Sequence, residues 1–251
     1  MFRLCVVVPV YNHETHVGSL VRAMLQQELP CVLVDDGSNA HCAATLDDIV
    51  AAHGGLVHLV RHAENQGKGG AVLSGLFRAG ELGFSHALQI DADGQHDLAD
   101  VPAFEAMARA NPQALIAGAP TFDDSVPRSR LYLRYLTHVM VAINTWSLRM
   151  RDSMCGFRVY PLDATLALAR STPLGRRMDF DIEIFVRLDW VGVPIIAMPT
   201  GVRYPEGGAS HFRLWLDNVL ITRVHTMLVF GMLRRAPQLL ARKVSRRETA
   251  A

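Results

Sequence analysis

The sequence predicts an α/β fold, a mostly parallel sheet with helices on both faces. In the first half of the chain, short apolar runs rich in β-branched residues alternate with segments of helical period. Such alternation is typical of right-handed βαβ units, whose crossover helices cover the sheet. Polar clusters also follow several of the apolar runs. Because the carboxyl ends of parallel strands meet at one edge of a sheet, we expect these clusters to lie together.

The individual elements are predicted from the period of the apolar residues and from turn residues. In the first half, strands are expected at 5–10, 31–34, 56–60, 87–90 and 114–117, and helices at 17–27, 42–52, 70–82 and 98–110. After Pro120 we expect a loop at 121–130, helices at 131–150 and 181–190, strands at 156–160 and 193–199, and an apolar helix at 214–233. One domain over 1–210 is expected, with halves of about 1–120 and 121–210, and an appended helix and tail at 211–251.

Composition and charge exclude several classes of protein. Half of the 251 residues are hydrophobic and 20% are charged, which is a globular composition. A formal net charge of +1 provides no field that would attract nucleic acid. The N-terminus lacks a signal-peptide cleavage region, and Arg223 and His225 interrupt the most apolar segment, 219–233. The interrupted segment predicts that no helix spans a membrane. The cysteines lack zinc-ligand spacing, which favours a reducing, cytoplasmic setting.

A pair of aspartates closes the fourth predicted strand. Asp91 and Asp93 are two residues apart, so both carboxylates can leave the strand on one face and converge on one cation. Hard oxygen ligands suit Mg²⁺ or Mn²⁺, ions that commonly bridge a few carboxylates to substrate phosphates. The pair therefore predicts a cation-held diphosphate, and the alternative is an ordinary polar exit from a strand.

Six motifs in a characteristic order resemble those of one enzyme family. They are Pro9-Val10-Tyr11-Asn12, Val34-Asp35-Asp36-Gly37-Ser38, Asn65-Gln66-Gly67-Lys68-Gly69-Gly70-Ala71, Gln89-Ile90-Asp91-Ala92-Asp93-Gly94-Gln95, Arg151-Asp152-Ser153-Met154-Cys155-Gly156-Phe157-Arg158 and Phe180-Asp181-Ile182-Glu183. Over about residues 4–200 the chain resembles the family 2 glycosyltransferases of GT-A fold, in the branch of dolichyl-phosphate mannose synthase and other polyprenyl-phosphate enzymes. The resemblance implies a Rossmann-like nucleotide-sugar half, an acceptor half with helices towards the C-terminus, and inversion at the anomeric carbon.

The motifs of the first half supply candidate donor-binding residues. Pro9 ends the first strand, and Tyr11 offers a flat ring for a UDP or GDP base, although it can also simply cap the sheet edge. The resemblance implies that Asp35 and Asp36 bind base and ribose. Lys68 begins a helix whose free amides favour anions, so it is assigned to the nucleotide; the alternative is a solvated lysine.

The resemblance also implies that Asp91 and Asp93 hold Mg²⁺ or Mn²⁺ against the diphosphate. The cation would neutralise charge on the leaving nucleoside diphosphate, which makes Asp93 the central catalytic carboxylate. Gln95, on the same loop, is counted among the donor-binding residues.

The acceptor decides which other groups are needed. A hydroxyl acceptor requires a general base, for which Asp181 and Glu183 are the candidates. A polyprenyl phosphate is already anionic, so it requires no base but needs cations to hold it. Arginine forks bind phosphate oxygens, and the candidate arginines are Arg130, Arg134, Arg158 and Arg203.

Two positions depart from the pattern of the polyprenyl-phosphate branch. His13 stands where many relatives have Glu, and the loop at 204–212 differs from the usual R-x-x-G-x-S-K. Ser210 keeps the place of a phosphate-side hydroxyl, whereas His211 replaces a lysine and can serve as a base or as an anion-binding cation. Because His211 stands in place of the lysine, a hydroxyl acceptor remains an alternative to a lipid phosphate.

The C-terminal helix and tail have two interpretations. The apolar helix at 214–233 can cover the core, or it can lie on a membrane interface with basic residues on anionic lipid. The basic residues are Arg234, Arg235, Arg242, Lys243, Arg246 and Arg247. The second interpretation predicts a peripheral protein at the cytoplasmic face of a membrane.

We therefore expect a metal-dependent, inverting glycosyltransferase that serves a lipid-linked acceptor, with polyprenyl phosphate favoured. The alternatives are a glycosyltransferase that acts on a hydroxyl of a lipid, glycan or small molecule, and a non-catalytic nucleotide-sugar-binding module.

Overall fold

The structure is a computed structural model that describes residues 1–121, 128–147, 152–202 and 214–248, with the backbone alone for 128–133, 214 and 243–248. Its strands are β1 (Leu4–Val10), β2 (Cys31–Asp35), β3 (Val57–Arg61), β4 (His86–Gln89), β5 (Leu115–Thr121), β6 (Arg158–Pro161) and β7 (Ile195–Gly201). Its helices are α1 (Glu14–Gln26), α2 (Ala40–His53), α3 (Lys68–Glu81), α4 (Val101–Ala110), α5 (Arg128–Thr145), α6 (Leu162–Ser171), α7 (Phe180–Trp190) and α8 (Leu214–Glu248).

The strands form one sheet in the order β3-β2-β1-β4-β6-β5-β7. All neighbouring pairs are parallel except those of β6, which is antiparallel to both β4 and β5. The predicted α/β class and mostly parallel sheet are confirmed. The sheet also joins the two predicted halves, because β6 of the second half lies between β4 and β5 of the first.

Alternating side chains of the strands build a core on each face of the sheet. On β1, Val6 and Val8 face one core, together with Leu46 of α2 and Phe104 of α4. Val7 faces the other core, where α3, α6 and α7 pack. The central strands are buried on both faces, which explains why they read as continuous apolar runs rather than as alternating patterns.

Several predicted elements need correction. The helix predicted at 98–110 is a 3₁₀ turn, Leu98–Asp100, followed by α4, because the Asp97 side chain accepts from the N–H of Ala99 and starts a separate turn. Helix α6 was not predicted. The helix expected at 131–150 is α5, which begins at Arg128 and ends at Thr145; part of the predicted loop at 121–130, residues 122–127, lies outside the described residues.

The last helix is much longer than predicted, since α8 continues through Pro237 to Glu248. The predicted basic tail is therefore largely helical. One face of α8 packs on α5 and α7 and buries Asp217, Val224, Leu228, Met232 and Leu239. Among the described residues, Trp215–Arg242 is one candidate membrane span by length and composition, with 28% of its apolar window buried in the protein. This finding departs from the expectation that Arg223 and His225 leave no segment long and apolar enough to span a membrane.

Candidate active site

The polar motifs of the first half meet at one edge of the sheet. Strands β2, β1 and β4 are parallel neighbours, so Tyr11, Asp35 and Asp91 lie at or just beyond their carboxyl ends. Chain order reverses between β1 and β4, and such a switch point is where open α/β sheets bind ligands. The prediction that these motifs share an edge is confirmed.

Asp35 is buried at the end of β2. Its Oδ1 accepts from the backbone N–H of Ser38 at 2.9 Å, and its Oδ2 accepts from Nε of Arg61 at 2.9 Å. The backbone N–H of Asn12 in turn donates to Oγ of Ser38 at 3.2 Å. Asp35 thus holds the turn at Ser38, which contacts Asn12 beside Tyr11. The predicted contact of Asp35 with the nucleotide stays a prediction.

Asp36 organises the segment in front of α3. Its carboxylate accepts from the backbone N–H groups of Gln66 and Gly67 at 2.8 and 2.9 Å. Nδ1 of His62 lies 2.7 Å from the same carboxylate, and Nε2 of His62 lies 2.9 Å from Oγ of Ser74. Asp36 is 2% exposed. Its contacts therefore hold Gly67, and with it the following Lys68, in position.

Lys68 reaches from the start of α3 into the acidic centre of the site. Its Nζ lies 2.8 Å from Oδ2 of Asp91 and 2.9 Å from Oδ2 of Asp181. Burial would lower the pKa of Lys68, but the two carboxylates raise it well above its usual range. For Asp91, burial would raise the pKa, but Lys68 and then His96 hold it well below the ordinary carboxyl range. The pair is therefore fully ionised.

Gly156 closes this centre from the side of the second half. A Cβ atom on Gly156 would lie 2.6 Å from Oδ2 of Asp91, 2.7 Å from Nζ of Lys68 and 2.9 Å from Nε2 of Gln89. Only a residue without a side chain permits this close approach. The motif glycine thus brings the segment before β6 against the carboxylate of Asp91.

Asp93 is half-buried on the loop after β4, and its Oδ1 accepts from the backbone N–H of Gln95 at 3.0 Å. Burial, and then the nearby charge of Asp91, raises the pKa of Asp93. His96 stacks on Phe157 with ring centroids 5.1 Å apart, and its Nε2 lies 3.9 Å from Oδ2 of Asp91. Strand β4 ends at Gln89, so Asp91 and Asp93 both lie on the loop after it rather than on one face of the strand. Their joint binding of one cation stays a prediction.

The residues fit a partly protein-bound Mg²⁺ or Mn²⁺. Among the described residues, no group of three or more His, Cys, Asp and Glu side chains could hold a metal by itself. Two hard carboxylates, Asp91 and Asp93, nevertheless lie two residues apart on the loop after β4. Such ions commonly take one or two carboxylates and complete their shell with substrate phosphates and water.

The two candidate general bases are both buried and ion-paired. Asp181 is 3% exposed and binds Lys68. Glu183 is 2% exposed, accepts from the backbone N–H of Gly175 at 2.6 Å, and accepts from Nε of Arg187 at 2.7 Å. Glu183 therefore has both carboxylate oxygens engaged, whereas Oδ1 of Asp181 is buried without a hydrogen-bond partner among the described residues. Their roles as bases stay predictions.

Arg158 requires a correction, because its guanidinium is fully buried. It donates to the backbone carbonyl oxygens of Asp181 and Ser153 at 2.8 and 2.7 Å. A guanidinium without exposed surface does not reach a phosphate, so its predicted role is wrong. It instead joins β6 to the start of α7.

Arg134 is held by a neighbouring carboxylate. Its Nε donates to Oδ2 of Asp152 at 2.5 Å, and Nε2 of His138 lies 3.2 Å from the same oxygen. Asp152 also accepts from the backbone N–H groups of Met154 and Cys155. Helix α5 is thereby tied to the segment that leads to Gly156.

Other predicted acceptor residues cannot be located. The side chain of Arg130 on α5 lies outside the described residues, and so do Arg203, Ser210 and His211. Their assignments stay predictions.

Sequence reasoning missed Arg61, His62 and Asp152 as site-forming residues. The parallel register places Asp35 beside Arg61. A charged residue at the end of an edge strand could have indicated this ion pair from the sequence. Asp152 was part of a motif but had no assigned contact, because its partners on α5 are distant in sequence.

The fold and site define an α/β protein with an acidic centre at the sheet switch point, and solved structures share its GT-A fold. Glucosyl-3-phosphoglycerate synthase from Mycobacterium tuberculosis, solved with Mn²⁺, UDP-glucose and phosphoglyceric acid, aligns with TM-score 0.63 and 15% identity over 92% of this chain and 78% of that chain. A mannosyltransferase from Pyrobaculum calidifontis, solved with GDP-Man and Mn²⁺, aligns with TM-score 0.56 and 15% identity over 99% and 80%.

Sequence comparison identifies the family. The family model described as glycosyl transferase family 2 matches residues 5–166, so the chain belongs to this family and is a glycosyltransferase. It is similar to a human dolichyl-phosphate beta-glucosyltransferase (27% identical, covering 86% of this chain and 72% of the relative). It is also similar to an undecaprenyl-phosphate mannosyltransferase from Micrococcus luteus (26% identical, covering 83% and 86%).

Proposed function

We propose that this glycosyltransferase moves a sugar from a UDP- or GDP-linked donor to the anionic oxygen of a polyprenyl phosphate, with inversion and with Mg²⁺ or Mn²⁺ at the diphosphate. The observation that carries the proposal is the burial and ion pairing of both candidate bases, Asp181 and Glu183. Relatives whose names specify dolichyl phosphate and undecaprenyl phosphate support the same acceptor class.

A hydroxyl acceptor must lose a proton before or during its attack on the sugar. A general base must lie within hydrogen-bond reach of the proton that it removes. Lys68 occupies Oδ2 of Asp181, whereas Arg187 and the N–H of Gly175 occupy both oxygens of Glu183. Oδ1 of Asp181 is buried without a hydrogen-bond partner among the described residues, so both oxygens are engaged in Glu183 but only one in Asp181. A phosphate oxygen carries no proton to remove, so an acceptor of this kind needs neither carboxylate as a base.

The residues at the sheet edge have separate tasks in this proposal. Asp91 and Asp93 would hold Mg²⁺ or Mn²⁺, which would supply positive charge to the donor's diphosphate. Tyr11 contacts the nucleotide base of the donor, and Asp35 and Asp36 hold the surrounding turns in position. The acceptor oxygen attacks the anomeric carbon from the opposite face, and the bond to the diphosphate breaks with its electron pair on the leaving group.

The outward face of α8 supports contact with a membrane surface. Opposite its packed face, large apolar side chains recur at helical spacing and are exposed: Trp215, Val219, Met227, Phe230, Leu233 and Leu240. An amphipathic helix with Trp, Phe and Leu on one face suits a bilayer interface. Because the inward face packs on α5 and α7, we propose that α8 lies on the cytoplasmic surface rather than crossing it. In this proposal α8 covers the core with its inward face and contacts the membrane interface with its outward face.

Two predicted lipid-facing arginines take another role. Arg242 donates to the backbone carbonyl of Asp189 at 2.7 Å, and the guanidinium of Arg235 lies over the ring of Trp190 at 4.7 Å. These contacts hold α8 on α7, so Arg235 and Arg242 are removed from the proposed lipid contact.

An acceptor comparison tests the proposed function. The purified protein is incubated with radiolabelled UDP- and GDP-sugars and Mn²⁺, with either a short polyprenyl phosphate or the corresponding polyprenol. We expect a glycolipid product from the phosphate alone, with turnover retained in Glu183→Gln. Transfer to the polyprenol that is abolished in Asp181→Asn or Glu183→Gln would favour the hydroxyl-acceptor alternative, and donor binding without any transfer or hydrolysis would favour a non-catalytic module.

A further inference from the structure

We propose that Lys68 is an internal counter-cation that makes metal binding depend on the donor. In the protein without nucleotide, its ammonium reduces the affinity of Asp91 and Asp93 for a divalent cation. The donor's diphosphate supplies the negative charge that completes the site. This inference rests on the proposed function, because it concerns the same cation and the same donor.

The charges at the centre of the site nearly cancel. Lys68 contacts Asp91 and Asp181 within 2.9 Å, and NH1 of Arg158 lies 3.9 Å from Oδ1 of Asp181. Two cations thus face two carboxylates, and Asp93 contributes the remaining negative charge. A divalent ion that approaches this group meets a net charge of about −1, although three carboxylates are nearby.

Lys68 and a metal ion can share the carboxylate of Asp91. Oδ2 of Asp91 accepts the ammonium of Lys68 at 2.8 Å, and Nε2 of His96 lies 3.9 Å from that oxygen. Among the described residues, Oδ1 of Asp91 has one long contact, 3.4 Å, with Nε2 of Gln89. Asp91 can therefore offer one oxygen to a metal while Lys68 keeps the other.

The surrounding structure holds Lys68 in this position. Its side chain is 16% exposed, Gly156 lies against the ammonium, and Asp36 fixes the preceding Gly67. A rigid ammonium does not need to leave when the donor binds. The diphosphate instead adds negative oxygens on the open side of the cation, which is how substrate phosphates commonly complete such sites.

Mn²⁺ titrations monitored by electron paramagnetic resonance, in which free Mn²⁺ gives the signal, test this inference. Wild-type protein and Lys68→Gln are titrated with Mn²⁺ alone, and then with UDP or GDP present. We expect wild-type Mn²⁺ binding to be weak alone and much tighter with a nucleotide. In Lys68→Gln, binding of Mn²⁺ alone should become at least about tenfold tighter, because one unit of nearby positive charge is removed from a partly buried site.

Two further variants separate charge from structural damage. Asp181→Asn removes a negative charge without removing a proposed metal ligand, so it should weaken Mn²⁺ binding in the presence of the nucleotide. Arg187→Gln removes a similarly buried cation that pairs with Glu183 and should leave Mn²⁺ affinity unchanged. If a variant is too unstable for titration at 25 °C, the increase in Tm on addition of Mn²⁺ replaces the titration, and this increase should be larger for Lys68→Gln than for wild type.

The outcomes distinguish this inference from the proposed function. Tight Mn²⁺ binding to the wild-type protein without nucleotide, or no gain in Lys68→Gln, overturns the role of Lys68 and leaves the transferase proposal standing. Absence of Mn²⁺ binding even with UDP and with GDP overturns both. Opposite shifts in Lys68→Gln and Asp181→Asn support the inference, whereas equal shifts in all three variants contradict it.

Discussion

The guanidinium of Arg158 donates to the backbone carbonyl of Asp181 at 2.8 Å, and this contact joins β6 to the first turn of α7. The same turn carries the carboxylate that binds Lys68. The buried Arg158 therefore holds in position the turn that carries Asp181. The sequence had predicted that Arg158 binds phosphate.

This placement predicts a stability effect for Arg158→Met. Removing one partner of a buried charge group leaves Asp181 poorly compensated, so the free energy of unfolding should fall by about 3–5 kcal/mol. Urea denaturation measures the change. Arg78→Met, which removes an exposed ion pair with Glu81, is the control and should cost no more than about 1 kcal/mol. A stable Arg158→Met protein with only a raised KM for a phosphate acceptor would restore the original assignment.

Gly156→Ala should disable the site through a steric conflict. Its added methyl group would lie within 3 Å of Asp91 and Lys68, and a displacement of about 1 Å in an active site can cost roughly 100-fold in rate. Initial rates of nucleoside diphosphate release should therefore fall by about that factor. Gly54→Ala is the matched control, since a Cβ there meets nothing within 4 Å. Normal turnover in Gly156→Ala would show that the close approach is unimportant.

Asp152→Asn should change the acid dependence of stability. Burial would raise the pKa of Asp152, but His138 and Arg134 lower it well below the usual carboxyl range. A group with a lowered folded-state pKa stabilises the protein above its unfolded pKa, about 3.9, and this stability is lost as the pH falls towards the folded value. The stability gap between wild type and Asp152→Asn should be full above about pH 5 and should shrink below about pH 4.

Urea unfolding at a series of pH values measures that gap. Asp48→Asn changes an exposed carboxylate on α2 and serves as the control. A gap for Asp152→Asn that stays constant from neutral to acidic pH would be inconsistent with an ionised, paired Asp152.

The outward face of α8 predicts membrane binding that depends on apolar side chains. Phe230→Glu and Leu233→Glu should reduce sedimentation with anionic phospholipid vesicles while leaving the unfolding free energy within about 0.5 kcal/mol of wild type, as is usual for surface changes. Leu56→Glu, at another exposed apolar site, should bind vesicles normally. Undiminished vesicle binding by both α8 variants would assign the face to something other than lipid.

The sequence was sufficient to predict the sheet edge but not the contacts across it. Apolar runs followed by Asp35 and Asp91 predict parallel strands with acidic carboxyl ends, because strand period and turn chemistry are local properties. The ion pair between Lys68 and Asp181 joins residues more than a hundred positions apart, so only the packing of α3 against α7 reveals it.

Errors at the C-terminal end have a similar cause. The predicted end at Leu233 followed the end of the apolar run. Pro237 lacks an N–H, and a proline normally ends or kinks a helix. Tertiary contacts beyond the proline, Leu239 in the core and Arg242 on Asp189, keep the chain helical. Arg158 was misassigned because burial of a charged side chain is not visible in a motif.

Dependence of sugar transfer on Asp93 and on a divalent cation tests the account most directly. Transfer to a short polyprenyl phosphate is measured with Mn²⁺ and with excess chelator, in wild type and in Asp93→Asn, whose folding is checked by urea denaturation. We expect chelation to abolish wild-type transfer. Folded Asp93→Asn should lose at least about 100-fold in rate, equivalent to a rise of about 2.7 kcal/mol in the activation free energy. Wild-type rates that persist with chelator, or full activity in Asp93→Asn, would contradict it.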